Sequence, residues 1–169
     1  MNYEEFIKEL DIKLANYFEL HKNFIHCKAG CSACCEKGDY PLTSIELEYL
    51  MKGYIALDNT TKQTVQQNIK TMKKGEVCPF LVNKKCSVYP YRPIICRVHG
   101  LAYRYKEDKI KLPYCTNYGK NYSEINEKGE IIINPIFENL DTPNILNPSE
   151  FGDVINLYDW IKTSDGTSF

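Results

Sequence analysis

Residues Cys27 to Cys35 read CKAGCSACC, four thiols within nine positions. A second, wider set follows at Cys78, Cys86, Cys96 and Cys115, and these eight are all the cysteines of the chain. Thiolates are soft ligands, so an all-cysteine set favours zinc or an iron–sulfur cluster over magnesium or calcium, which prefer oxygen. By spacing the natural grouping is four and four. Were residues 27–35 one continuous helix, its thiols would share an arc of about 100° but spread along about 12 Å of axis. One zinc with ~2.3 Å Zn–S bonds does not gather such a ladder. The segment is therefore a loop around a metal, or its thiols are shared between sites. Gly30 and the small residues Ala29, Ser32 and Ala33 favour a loop or a helix entry that lets backbone approach a cluster closely. Cys34 and Cys35 add a constraint: adjacent side chains diverge in helix and strand, so the pair is expected to split between two sites, or between a site and chemistry.

Upstream, Tyr3, Phe6, Leu10, Leu14, Tyr17, Phe18, Phe24 and Ile25 recur at helical spacing and predict one amphipathic helix over about 3–25. Downstream, Thr43-Ser-Ile-Glu46 has the form of a capping box, and a short helix to about Lys52, stopped by Gly53, is expected. A polar helix from about Asp58 to Lys74 follows, with Val65, Ile69 and Met72 inward and Gly75 terminating it. Between Cys78 and Cys115 stand Pro79, Pro90, Pro93 and Pro113, which exclude long helices and imply turns held by something else. Leu101 to Tyr105 and Lys109 to Leu112 predict a small hairpin around Lys106–Asp108. A short strand at Ile131–Ile133 and a last helix over about 149–162, with Phe151, Val154, Ile155, Tyr158 and Ile161 inward, complete the pattern. The expected fold is a small, mostly helical α+β single domain over 1–169, its proline-rich irregular middle (27–115) tied by metal.

Composition narrows the function. A chain of 169 residues, 43% hydrophobic and 25% charged, suits one domain with a core. Its net charge of −1 lacks the field a nucleic-acid binder or polybasic membrane binder carries, so neither partner is expected. No apolar run approaches the ~18 to 20 residues that span a bilayer, and MNYEEFIKEL is acidic where a secretion signal is basic and then apolar. A cytoplasmic setting follows as the expectation, and disulfides are not the ordinary fate of thiols there. The chain shows no phosphate-cradling glycine loop, no Gly-x-Ser-x-Gly and no His-Glu-x-x-His. Of the 21 basic residues only Arg92, Arg97 and Arg104 are arginine, all within thirteen positions around Cys96. That placement suggests a need for the planar, multi-donor guanidinium.

Several linked motifs carry a resemblance. CxxxCxxCC at Cys27–Cys35, Leu42-Thr43-x-x-Glu46, CPFL at Cys78–Leu81, Cys86-Ser-Val-Tyr89 and RPIICR at Arg92–Arg97 resemble the YkgJ-type cysteine-cluster proteins, a zinc- or iron-chelating family, over roughly residues 27–115. The resemblance implies metal binding and supplies no substrate. Similar clusters occur in flagellin lysine methylases, which implies an iron–sulfur role for some relatives. The Cys27, Cys31, Cys34 spacing also resembles the loop that holds three corners of a [4Fe–4S] cluster in radical S-adenosylmethionine enzymes, although that motif follows a strand of a barrel too large for this chain.

The candidate metal ligands are Cys27, Cys31, Cys34, Cys35, Cys78, Cys86, Cys96 and Cys115, in one or two sites, with an iron–sulfur cluster slightly favoured over Zn2+. Arg92 and Arg97 are candidates to offset thiolate charge beside that cofactor, against the alternative of bonding loop carbonyls or a carboxylate. His99 and His26 could ligate, but eight cysteines make a supporting or surface role the better reading, and His21 reads as structural. Glu46 is explained by its cap. The leading function is a metal-binding protein with a structural, redox or metal-handling role, and Cys31→Ser is expected to cost metal and fold together. The alternative is a metal-dependent redox or protein-modifying enzyme with a spare thiol such as Cys35, or an open metal position. A third reading is an adaptor that meets a protein partner through helices and tyrosines.

Overall fold

Helix formation starts at Asn2, whose side-chain oxygen accepts the Glu4 N–H at 3.0 Å while Glu5 reaches back to the Asn2 N–H. The computed structural model describes residues 2–28, 30–38, 40–105, 109–127, 130–131 and 152–163. In chain order the described elements are α1 (Tyr3–Leu20), β1 (Pro41–Thr43), α2 (Ser44–Ile55), α3 (Asn59–Thr71), β2 (Leu81–Val82), β3 (Lys85–Cys86), α4 (Ile94–Val98), β4 (Tyr103–Tyr105), β5 (Lys109–Lys111), β6 (Asn126–Glu127), β7 (Glu130–Ile131), β8 (Val154–Asn156) and α5 (Leu157–Thr163). The fold is α+β and mostly helical, and the described strands pair into two-stranded antiparallel ribbons. No described helix is long and apolar enough to cross a membrane. The chain divides into two compact units, Met1–Lys28 with Arg97–Leu146 and Ala29–Cys96 with Asn147–Phe169.

In the first unit α1 buries Tyr3, Ile7, Leu10, Leu14 and Tyr17, the stripe that a 3.6-residue period dictates. The helix stops at Leu20, and a 3-10 turn, Lys22–Phe24, replaces the last turn expected from the sequence. Polar contacts explain the early stop. His21 is fully buried with Nδ1 3.0 Å from the Tyr122 hydroxyl, and the Tyr122 N–H donates to the Phe24 carbonyl at 2.7 Å. Tyr122 belongs to a small core with Ala102 and Ile125, against which Phe24, Ile25, Ile110 and Leu112 pack. The expected hairpin is present as β4 and β5, with Tyr103 opposite Lys111 and Tyr105 opposite Lys109. β7 meets the strand expected at Ile131–Ile133 only at Ile131, and the rest of that segment lies outside the described residues.

In the second unit α2 begins with the expected capping box at Thr43 and Glu46, but Gly53 does not end it. The helix runs to Ile55, and Gly53 instead makes room for the Tyr91 ring, which an added Cβ would meet at 2.6 Å. Asp58 caps α3, whose Val65 is completely buried. These helices close on a core of Leu42, Leu50, Tyr54, Val65, Phe80, Val88, Leu157 and Ile161. Burying each such side chain is worth about 1.5–3 kcal/mol. The last helix is shorter than expected. Val154–Asn156 pair with Pro41–Thr43 as a strand, so α5 begins only at Leu157; Ser149 and Phe151 lie outside the described residues. Cross-strand pairing with β1 took residues that also fit a helical period, and it leaves Val154 exposed rather than inward. Bonds from the Leu157 N–H to the Tyr40 carbonyl (2.9 Å) and from Trp160 Nε1 to the Leu42 carbonyl (3.0 Å) anchor the chain just after the cysteine loop.

Candidate metal centre

Residues 25–34 form no continuous helix, and the chain tightens into a 3-10 turn only at Cys35–Lys37. The loop form expected around Gly30 is therefore the one present. Cys34 and Cys35 do not diverge: their sulfurs lie 4.0 Å apart. Consecutive Cα atoms are only about 3.8 Å apart, and rotation about each Cα–Cβ bond brings two sulfurs together in a way backbone direction alone does not foretell. The Cys78 N–H donates to the Cys35 carbonyl at 2.8 Å, tying the two cysteine sets together. Gly38 permits this approach, because a Cβ there would stand 2.7 Å from the Cys78 Cβ and 2.9 Å from the Cys35 oxygen. Tyr40 adds a brace by donating its hydroxyl to the Cys34 carbonyl at 2.6 Å.

The chain returns its next thiol through β2 and β3. Asn83 (φ 50°) and Lys84 (φ 59°) form a two-residue turn with both residues left-handed, as a type I′ hairpin requires, and Cys86 comes back opposite Leu81. Cys78 and Cys86 both pack against the core of the second unit. Cys96 rides on α4, whose first N–H, from Ile94, donates to the Glu46 carboxylate at 2.9 Å.

Electrostatics ties these five thiols together. The Cys34 thiol is held well below its ordinary range by the hydrogen bond from Cys35, helped by backbone N–H groups and by Arg92, against the opposing effect of burial. Cys35 is pushed up because it keeps the shared proton, is buried, and faces Cys34, Cys78 and Cys86. Burial pushes Cys78 up to about 12, raises Cys86, and raises Cys96 strongly, with the neighbouring thiols adding to each. The Tyr40 phenol is raised by burial and then by Cys34, Cys96, Cys35 and Cys78. Arg92 acts on Cys34, Cys86 and Cys96, and its guanidinium lies 3.5 Å over the Tyr89 ring.

Of the remaining candidates, Cys31 belongs to the second unit and the others to the first. Arg97 is buried and forms an ion pair with Asp11 at 2.6 Å, so a carboxylate is its partner in the first unit. Cys27 is exposed; Asn121 Nδ2 donates to its sulfur at 3.0 Å, and a Cβ on Gly100 would come 2.9 Å from that sulfur. Tyr122 is raised by burial first and then by Tyr17, Cys27 and Cys115, which associates the last two cysteines with the first unit. Cys31 is exposed. His26 Nε2 lies 2.8 Å from Glu124, and burial together with Lys111 lowers the His99 pKa. The spatial grouping thus cuts across the four-and-four spacing. Sequence reasoning missed Tyr40, Gly38 and Asn121, which no spacing rule marks, and the β2–β3 turn, for which Asn83 was an available signal.

Among the described residues, no three Cys, His, Asp or Glu side chains form a finished metal-ligand set. The second unit's thiols are gathered rather than closed on one point. Their chemistry nevertheless fits a soft metal: sulfur donors, a guanidinium to offset thiolate charge, and a surrounding core that limits water. No curated protein and no solved structure matches the chain. A family model described as "CxxCxxCC: Putative zinc- or iron-chelating domain" matches residues 26–124, more than half of the sequence, and the chain belongs to that cysteine-cluster family.

Proposed function

We propose that Cys34, Cys35, Cys78, Cys86 and Cys96 hold a thiolate-bound metal, zinc or an iron–sulfur cluster, in a centre with a structural, redox or metal-handling role. The observation that carries this reading is geometric: the Cys34 and Cys35 sulfurs lie 4.0 Å apart, and the Cys78 N–H bonds the Cys35 carbonyl at 2.8 Å, which joins the two cysteine sets. A tetrahedral centre with ~2.3 Å metal–sulfur bonds has a sulfur–sulfur edge of about 3.8 Å. The 4.0 Å between Cys34 and Cys35 supports two sulfurs on one metal more than a four-iron cluster with one cysteine per iron. Zinc accordingly moves ahead of the [4Fe–4S] reading. When bound, zinc supplies a cross-link, and an iron–sulfur cluster supplies electron transfer. The chain's own part is to hold thiolates against their repulsion through Arg92, to fix the Cys34 backbone through Tyr40, and to pack Cys78 and Cys86 into apolar surroundings.

A second reading, a thiol-dependent enzyme, rests on the count. Tetrahedral zinc takes four sulfurs, so one of the five is left over, and Cys34 is the thiol held most readily as thiolate. The test of both is anaerobic purification with metal and acid-labile sulfide analysis of the wild type and of each Cys→Ser variant. Loss of metal in the Cys78, Cys86 and Cys96 variants and in at least one of the Cys34 and Cys35 variants, with retention in Cys31→Ser, is the expected pattern. Metal retained in the Cys78 and Cys86 variants overturns it. One of the five thiols alkylated in the metal-loaded protein favours the enzyme.

A further inference from the structure

Glu46 does more than cap α2. Its Oε2 accepts the Thr43 N–H at 2.7 Å and the Thr43 hydroxyl at 3.0 Å, which completes the capping box. Oε1 is left over from that task and accepts the Ile94 N–H at 2.9 Å, 48 positions along the chain. Glu46 is 2% exposed and Ile94 is fully buried. A carboxylate withdrawn from water is costly unless its lone pairs are filled, and the Ile94 N–H fills one of them. Ile94 opens α4, and Cys96 follows two residues later. A five-residue helix has too few internal hydrogen bonds to hold itself.

We infer that Glu46 is a positioning residue for the metal centre: through the Ile94 N–H it fixes the first turn of α4 and thereby the place of the Cys96 sulfur among the thiols. This rests on the thiolate-centre reading and deepens it. The carboxylate is needed because both of its oxygens accept. A glutamine would turn an N–H2 donor toward either the Thr43 donors or the Ile94 N–H, and one of them would lose its acceptor.

The test uses the full chain purified anaerobically with its bound metal, and measures the chelator concentration that removes half of it. Glu46→Gln and Cys96→Ser are each expected to lose metal at roughly 10- to 100-fold lower chelator, as outer-shell and ligand losses do. The double variant is expected to lose no more than Cys96→Ser alone, because both act through one sulfur. Metal-edge X-ray absorption should show the same altered sulfur shell in both single variants. Thr43→Val, which removes only the hydroxyl side of the cap, should lower Tm and leave chelator resistance within about twofold. Unchanged resistance in Glu46→Gln or in Cys96→Ser, or additive losses in the double variant, overturns the inference. A wild type that carries no metal overturns the centre itself, and is read before any variant. Should Glu46→Gln fail to fold, hydrogen exchange on the metal-loaded wild type decides: protection of the Ile94 amide supports the inference, and exchange at the free-chain rate overturns it.

Discussion

The two units hold their cysteines in opposite ways. In the second unit, Cys78 and Cys86 pack against an apolar core, Cys34 and Cys35 bring their sulfurs to 4.0 Å, and the Cys78 N–H bonds the Cys35 carbonyl. In the first unit, the Cys27 sulfur is exposed and is held by the amide of Asn121 and by the bare backbone of Gly100. The difference teaches that sequence clustering and spatial clustering are separate properties. A buried group of thiols must either stay protonated or be compensated by a cation, which makes it a metal trap; a single hydrogen-bonded sulfur is under no such pressure.

The contrast is most exposed to metal removal. A structural thiolate metal contributes about 10–16 kcal/mol of apparent binding free energy, which rivals a whole domain's stability. Chelation, or Cys78→Ser, is therefore expected to melt the second unit, read as loss of slow-exchanging amides in α2 and α3. Cys27→Ser should leave those amides protected. Equal loss in both variants would erase the distinction.

Next in size is the core that Cys78 and Cys86 lean on. Phe80→Ala should cost about 3–5 kcal/mol in denaturant melts and also ease metal loss, because Cys78 and Cys86 pack against the same core. A cavity that leaves chelator resistance unchanged would show the core and the thiols to be independent. Asp11→Ala, in the other unit, removes the carboxylate paired with the buried Arg97 guanidinium. With Asp11 half exposed, the expected cost is about 1–3 kcal/mol, and metal content should not change. Metal loss in that variant would assign Arg97 a part in the centre.

The smallest expected effect is on pH dependence. Burial lowers the folded-state pKa of His99 below 6.5. The unfolded chain thus takes up the proton first, and the stability owed to neutral His99 is complete above pH 6.5 and lost as pH falls through that value toward the folded one. His99→Gln should flatten the acid limb of a stability–pH curve below pH 6.5. An unchanged limb would show that His99 does not shape it.

Much of this was legible in the chain. The capping box at Thr43, the stripe from Tyr3 to Tyr17 and the β4–β5 hairpin follow from local rules, because caps and periodicity act within one or two turns. Spacing marks Cys31 as a sensitive ligand; that it is exposed while Cys78 packs on the core is a tertiary fact no spacing carries. Gly53 read as a stop and became a seat for Tyr91, since the ring that needs the space comes from a distant segment.

The sequence by itself determined the donor chemistry: eight soft thiol donors, three arginines beside one of them, no competing catalytic template, and membership of the CxxCxxCC cysteine-cluster family. Which sulfurs face one another was decided only in three dimensions. Gly38 admits Cys78, the Asn83–Lys84 turn returns Cys86, and Glu46 takes hold of the helix bearing Cys96. The first and last are contacts between residues far apart in the chain, and no local spacing encodes where a buried backbone N–H will find its acceptor.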